Sequence, residues 1–327
     1  MNKHSKETLS KLRHGLDPRT NIYRLIHGAA DGWKGLYADR LGKYLSIQSS
    51  QPLNEKQKEA IELLQYELKL KGIYFKRLNR QLQKASNKES TPKLIAGIKA
   101  SQSFDVTELS INYHLSFNQG YSTGLFLDMR DNRRRLLTNI VEPGFSIFDR
   151  SSGIPLVLNT FSYTCSLSLC AAKTGAMTTN IDLSKKYLDW GRENFSLNNI
   201  SPKDHDFIYG DTFDWMKRLK KKGKLYDLVI LDPPTFSRSK ISGSFQTKQH
   251  YELLVKEASQ LVQKNGMILA CCNTSSLSLS SFKSNVKKGI HNGRRKIIQS
   301  AHASQPIDFP ATSEEPAYLK SYWLKLN

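Results

Sequence analysis

The sequence predicts an α/β protein: a doubly wound parallel sheet preceded by a smaller α+β domain. Three observations lead there. From about residue 153 onward, short apolar runs alternate with segments of helical period, the mark of parallel strands covered by helices. Ahead of that, strand-like runs are broken by Gly28, Gly32, Gly35 and Gly42 at turn spacing. The chain is 327 residues long, more than one average domain of about 150. The boundary is drawn between a small domain over residues 1–115 and the doubly wound domain over 116–327.

Taken in order, Tyr23 to Gln48 reads as short strands with tight turns. Glu55 to Leu68 places Ile61, Leu64 and Leu68 at helical intervals, and Gly72 to Phe75 follows as a strand. Gln83 to Lys93 is polar and carries Pro92, which predicts a surface loop. Phe104 to Phe117 alternates well enough for one or two strands, and Asp128 to Leu137 for a helix. The sheet strands are expected at Leu156–Thr160, Met177–Asp182, Asp206–Tyr209, Leu228–Leu231 and Met267–Cys271. Helices fall between them at Ser166–Lys173, Ser184–Leu197, Thr212–Lys221 and His250–Val262, and a late pair, Lys296–Ser300 and Leu319–Leu326, completes the sheet. No internal repeat at solenoid spacing is present.

Composition narrows the function. With 39% hydrophobic and 24% charged residues the chain reads as soluble and globular. No apolar run approaches a membrane span or a signal core, so a cytoplasmic location is expected. Cys165, Cys170, Cys271 and Cys272 form no C-x-x-C pair, which argues against zinc and structural disulfides. The 49 Lys+Arg against 29 Asp+Glu leave a formal +20, a surplus that phosphate backbones reward through counterion release. The local runs at Arg133-Arg134-Arg135, Lys220-Lys221-Lys222 and Arg294-Arg295-Lys296 are equally read as solvated faces.

Ligands of such sheets bind beyond the carboxyl ends of the strands, where strand order reverses. The turn after the first strand, Phe161-Ser162-Tyr163-Thr164-Cys165-Ser166, holds no glycine. A dinucleotide needs glycines there for close approach to its pyrophosphate, so a nicotinamide oxidoreductase is disfavoured. S-adenosylmethionine, which has no phosphate and whose sulfonium welcomes a nearby carboxylate, is favoured. Asp182 ends the second strand at an interval that suits a ribose diol; a helix N-cap is the competing reading. Asp211 suits an adenine amino group or a simple turn. After the fourth strand, Asp232-Pro233-Pro234-Thr235-Phe236-Ser237-Arg238-Ser239-Lys240 is the most specific segment. Its prolines stiffen the backbone so that the Asp232 and Pro233 carbonyls can face a base, Phe236 offers a stacking surface, and Arg238 and Lys240 offer cations for phosphates. The alternative is a strand that merely ends at prolines.

Three stretches resemble the bacterial 23S ribosomal RNA large-subunit methyltransferases: Thr123-Gly124-Leu125-Phe126-Leu127-Asp128-Met129-Arg130, Leu158-Asn159-Thr160-Phe161-Ser162-Tyr163-Thr164, and Asp232 to Lys240. Asp182-Leu183-Ser184 through Asn198 is also similar, and the likeness runs from about Tyr23 to the C-terminus. It is nearest to the guanine-N7 half of the fused large-subunit enzyme, with the cytosine-C5 enzymes as cousins. The resemblance implies a Rossmann-like class I methyltransferase sheet, S-adenosyl-L-methionine as donor and RNA as partner. It implies cofactor contacts from Phe126, Asp128, Arg130, Asn159, Phe161, Tyr163, Thr164, Asp182, Leu183, Asp211 and Asp232, with Asp232, Pro233 and Phe236 at the acceptor. Asp128 and Arg130 suit the methionine amino and carboxylate groups, or else a salt-bridged helix surface.

Two departures stand out. Cys165 occupies the position where the family has glycine, which is expected to crowd the cofactor. Little chain precedes Tyr23, so the RNA-binding module some cousins carry is expected to be absent, and RNA contact falls to the small domain and the basic surface. Cytosine-C5 enzymes need a cysteine at the end of a core strand. Cys271 and Cys272 lie nearby, but Asn273 stands at that position, as in the guanine-N7 half. Cytosine-C5 chemistry through Cys271 or Cys272 and a non-catalytic RNA-binding relative are the alternatives.

Overall fold

The computed structural model describes residue 13 and residues 15–78, 91–119, 122–149, 151, 153–239, 241 and 243–327. It divides into two compact units, one formed by residues 1–130 with 306–317 and the other by 131–305 with 318–327. The boundary expected at residue 115 lies inside the first. Among the described residues no helix is long and apolar enough to cross a membrane.

In the first unit, β1 (Ile22–His27), β2 (Leu36–Leu41), β3 (Tyr44–Ser49), β4 (Gly72–Arg77) and β5 (Lys93–Gly97) lie side by side in chain order. The pairs are antiparallel except β3 with β4, which α1 (Glu55–Glu67) connects. Asn54 and Gln57 cap this helix reciprocally, and it buries Ile61 and Leu64 against Leu36, Leu45, Ile47 and Ile73. A separate hairpin joins β6 (Phe104–Glu108) and β7 (Ile111–Leu115). Most of the expected loop over Gln83–Lys93 lies outside the described residues, and Lys93 itself opens β5.

Arg130 opens α2 (Arg130–Thr138), which is followed by β8 (Ile140–Glu142) and β9 (Phe145–Ser146). The second unit is the expected doubly wound sheet. Its strands are β10 (Leu156–Thr160), β11 (Met177–Asp182), β12 (Asp206–Tyr209), β13 (Tyr226–Leu231), β16 (Val262–Cys272), β17 (Ile297–Ala303) and β18 (Lys320–Leu326). They run in the order β12-β11-β10-β13-β16-β18-β17, and only β18 is antiparallel to its neighbours. The order reverses between β10 and β13. The connecting helices are α3 (Ser166–Lys173), α4 (Lys185–Leu197), α5 (Thr212–Lys221), α6 (Thr247–Ser259) and α7 (Leu279–Asn292).

Most elements fall where the periodicity predicts, with two corrections. The helix expected to reach Val262 ends at Ser259, and β16 starts five residues earlier than expected, at Val262. The pairing of β13 with β16 shifts register between Tyr226 and Leu228, and Asn265 turns left-handed in the irregular stretch that hides the strand's start. Unforeseen were α7 and a hairpin of β14 (Phe236–Ser239) and β15 (Gly243–Gln246) that projects straight after the Asp-Pro-Pro segment.

Candidate functional site

The switch point brings the turn after β10 and the segment after β13 to neighbouring strand ends, since β10 and β13 pair directly. In the turn, Phe161, Tyr163 and Cys165 have φ of +54°, +49° and +60°, the left-handed region that costs a residue with a side chain roughly 1–2 kcal/mol. Glycines would take these positions without strain.

Asp182 holds the turn. Its Oδ2 accepts the Tyr163 N–H at 2.8 Å and its Oδ1 accepts the Ser184 N–H at 2.8 Å. Burial pushes its carboxyl above the usual aspartate range, and the two amide bonds offset part of that rise. The N-cap of α4 is Ser184, whose hydroxyl accepts from Tyr187 N. Asp182 is therefore a strand-end carboxylate that ties two loops and not the cap. Leu183 beside it is exposed.

Around the turn, the Tyr163 ring meets Tyr187 edge-on at 4.5 Å, and Asn194 Nδ2 donates to the Thr164 carbonyl at 3.1 Å. Asn159 is buried and donates to Ser168 Oγ at 2.8 Å. Asp211 caps α5, its Oδ1 accepting from Asp214 N at 3.0 Å.

Cys165 lies against α4. Its thiol is fully buried and directed at α4, where a Cβ placed on Gly191 would lie 2.6 Å from Sγ. Gly191 makes the room that Cys165 needs. Desolvation pushes that thiol up to about 12, so it stays protonated.

The segment after β13 is clamped from several sides. Thr247 donates its hydroxyl to the Pro234 carbonyl at 2.8 Å and its amide to the Thr235 carbonyl at 3.2 Å. The buried Tyr251 hydroxyl reaches the Cys271 carbonyl at 2.7 Å and the Leu231 carbonyl at 3.5 Å, joining the ends of β13 and β16. Thr235 Oγ1 donates to Asn273 Oδ1 at 3.2 Å and accepts from Thr274 Oγ1 at 3.3 Å. Lys320 in turn donates to the Thr274 carbonyl at 3.0 Å. Pro233 is buried, Asp232 half-buried, and Phe236 is 47% exposed where the hairpin starts. Arg238 is exposed on that hairpin, and Lys240 lies outside the described residues. Cys271 and Cys272 are both 0% exposed.

The sequence reading missed Thr247, Tyr251, Phe213 and Phe245; the Phe245 ring lies 5.9 Å from those of Phe213 and of the expected Phe161. The aromatic interval in Gly210-Asp211-Thr212-Phe213 was the available signal for Phe213.

Phe126, Asp128 and Arg130 belong to the first unit. Phe126 is exposed and precedes a 3-10 turn over Leu127–Met129. Arg130 is buried, with Nε at 3.1 Å from Glu108, Nη1 at 2.5 Å from Asp308 and Nη2 at 3.0 Å from the Ile22 carbonyl. It is neither a surface salt bridge nor an open cation.

The sequence profile of the S-adenosylmethionine-dependent methyltransferases matches residues 24–289. The chain belongs to that family. A Bacillus subtilis (strain 168) protein with the provisional name ribosomal RNA large subunit methyltransferase YwbD is 31% identical over 306 residues, 92% of this chain and 74% of that one. Ribosomal RNA large subunit methyltransferase K/L of Legionella pneumophila (strain Corby) is 35% identical over 229 residues, 69% of this chain and 30% of that much longer one. Among solved structures, SMU.776, provisionally named a methyltransferase and complexed with S-adenosylhomocysteine, matches with a TM-score of 0.81 at 26% identity over 99% of this chain and 79% of that one. This methyltransferase therefore uses S-adenosylmethionine, and its Rossmann-like sheet is the one the alternation of strands and helices predicts.

Proposed function

We propose that this methyltransferase modifies a base of large-subunit ribosomal RNA in the cytoplasm, with guanine N7 as the accepting atom. RNA is supported by the +20 charge and by the names of its relatives. The choice of atom rests on the burial of Cys271 and Cys272. Cytosine C5 becomes nucleophilic only after a thiolate adds to the ring, and neither sulfur is open to a base. Cys271 Sγ instead lies 3.7 Å from Ser321 Oγ. The exposed residue at the end of β16 is Asn273. Guanine N7 carries an in-plane lone pair and needs neither covalent partner nor base, so catalysis reduces to alignment.

S-adenosylmethionine supplies an electrophilic methyl on a sulfonium. The residues of the chain bind and orient. Asp182 keeps lone pairs beyond its two amide bonds for the ribose hydroxyls, with Leu183 as an apolar neighbour and the Phe161 to Thr164 backbone alongside. Asp232 and the buried Pro233 orient the base, and Phe236 stacks on it. Arg130 serves as framework, because the Glu108/Asp308 pair already engages its guanidinium; Asn159 and Asp211, which bond Ser168 and the Asp214 amide, keep the cofactor contacts that the resemblance implies. Roles for Phe126 and Asp128 at the methionine end rest on the resemblance alone, as does RNA contact by the small domain.

The test is methyl transfer from labelled donor to deproteinised 23S ribosomal RNA, followed by mapping of the modified nucleotide. Label at guanine N7, retained in Cys271→Ala and Cys272→Ala, is expected. Label at cytosine C5, or loss of transfer in either folded variant, would overturn the choice of atom, and no label on the RNA would overturn the substrate.

A further inference from the structure

From Ala258 to Ile307 the sequence contains no aspartate or glutamate. This stretch supplies β16, α7 and β17 in the second unit. Helix α7 turns Phe282, Val286, Gly289 and Ile290 inward, a narrow stripe at helical spacing. Lys287, Lys288 and His291 are exposed on the rest of its surface, and Arg294 and Lys296 are exposed just past its end. Lys283, one turn into the helix, lies 5.4 Å from the Tyr322 ring. Over 14 residues the helix extends about 21 Å.

The other basic runs are spent differently. Arg133 is fully buried, and Arg135 donates to the Val141 carbonyl at 3.1 Å. On α5, Arg218 pairs with Asp214 at 2.9 Å, Lys220 bonds Gln260, and Glu257 lies beside Lys217 and Lys221 in the same shallow depression. Arg295, within the run that follows α7, turns inward to the carbonyls of Ser259 at 2.9 Å and Gln263 at 3.1 Å. What remains is a face whose own fifty-residue stretch supplies cations and no acid; Glu252 of the neighbouring α6 reaches its end and accepts from Asn292 Nδ2 at 2.7 Å.

That stretch also contains Asn273 and Thr274, which hold Thr235 of the acceptor segment. The chain passes from those residues directly into α7. We infer that the exposed face of α7, through Lys287, Lys288 and Arg294, is a docking surface for the phosphate backbone of the RNA substrate. Phosphates favour such a face because each cation that neutralises one releases condensed counterions, and the cations outnumber the acid that bonds the helix, Glu252. The contacts carry no sequence information; they set the register of the RNA against the acceptor segment. This inference rests on the RNA reading above.

The test uses the full chain and deproteinised 23S ribosomal RNA, with affinity measured across salt concentrations. The triple variant Lys287→Gln/Lys288→Gln/Arg294→Gln is expected to lower the slope of log affinity against log salt by about 2, near the 0.7–0.9 that each lost phosphate contact contributes. Its affinity for S-adenosylhomocysteine should be unchanged. The matched variant Lys220→Gln/Lys221→Gln/Lys222→Gln on α5 should leave the slope nearly as it was. An unchanged slope in the α7 variant, or equal losses in both, would overturn the docking surface while leaving the RNA reading intact. Failure of the unaltered chain to bind or methylate the RNA would remove the reading itself.

Discussion

After β10 the backbone turns through three left-handed residues that all carry side chains, whereas after β13 two prolines stiffen the chain before the turn begins. The first segment is locally unfavourable; the half-buried carboxylate of Asp182 ties it to the loop after β11, with the Ser162 amide on the Ile181 carbonyl and Asn194 on the Thr164 carbonyl beside it. The second is locally favourable, and Thr247, Tyr251 and the Asn273–Thr274 pair share its support. A strained loop that hangs mainly on one carboxylate should fail more abruptly when that carboxylate is lost than a stiff loop whose support is shared.

The largest effect is therefore expected at Asp182. Asp182→Ala removes the ribose acceptor and frees the Tyr163 amide, and charged hydrogen bonds are worth about 1.5–3 kcal/mol each. Affinity for S-adenosylmethionine should fall on the order of 100-fold by calorimetry. Acid should mimic the substitution. Burial raises this carboxyl in the folded state, so the folded chain holds the proton more tightly than the unfolded one, and the group destabilises the fold at neutral pH. That cost is relieved as pH falls through the raised value, while cofactor affinity is lost over the same range, above that of an ordinary aspartate. An affinity that stays flat there would break the comparison from the cofactor side.

A smaller effect belongs to the acceptor side. Tyr251→Phe deletes the hydroxyl that joins the Leu231 and Cys271 carbonyls, at about 1 kcal/mol of stability. With Thr247 and Asn273 still in place, turnover should drop about 10-fold, equivalent to about 1.4 kcal/mol. Cofactor affinity should hold. Parallel losses in turnover and cofactor affinity would show that the two segments do not fail independently.

The contrast also explains what the sequence could and could not disclose. Leu156–Thr160, Met177–Asp182 and Asp206–Tyr209 match their expected bounds, because they alternate at regular intervals with segments of helical period. The Asp-Pro-Pro segment was equally legible, since proline states its own backbone constraint. Helix α7 was not: its four inward residues sit among serines, lysines and asparagines. Nor was the return of Pro306–Ala317 to the first unit, which is held by bonds across long separations, Asp308 to Arg130 and Arg24, and Glu315 to Tyr37. Arg130 illustrates the same limit at the site. Its place in a family-like stretch pointed to a ligand carboxylate, and only tertiary structure shows Glu108 and Asp308 beside it.

Cys165 offers the finest probe of the strained turn. Mid-helix glycine costs about 1 kcal/mol against alanine, yet Gly191 sits inside α4 because a Cβ there would come within 2.6 Å of the Cys165 sulfur. Gly191→Ala alone should destabilise the protein by about 1–3 kcal/mol through overpacking and weaken cofactor binding only about threefold, near 0.6 kcal/mol. Cys165→Gly removes the obstructing thiol and a left-handed residue with a side chain. Combined with Gly191→Ala it should restore stability to the original level or above, because the helix gains alanine while the turn gains glycine. A double-mutant cycle by denaturant unfolding should thus give a favourable coupling of about 1 kcal/mol or more. If the two changes simply add, the Cys165–Gly191 contact is incidental, and the strain in the turn is held by its hydrogen bonds, those of Asp182 first among them.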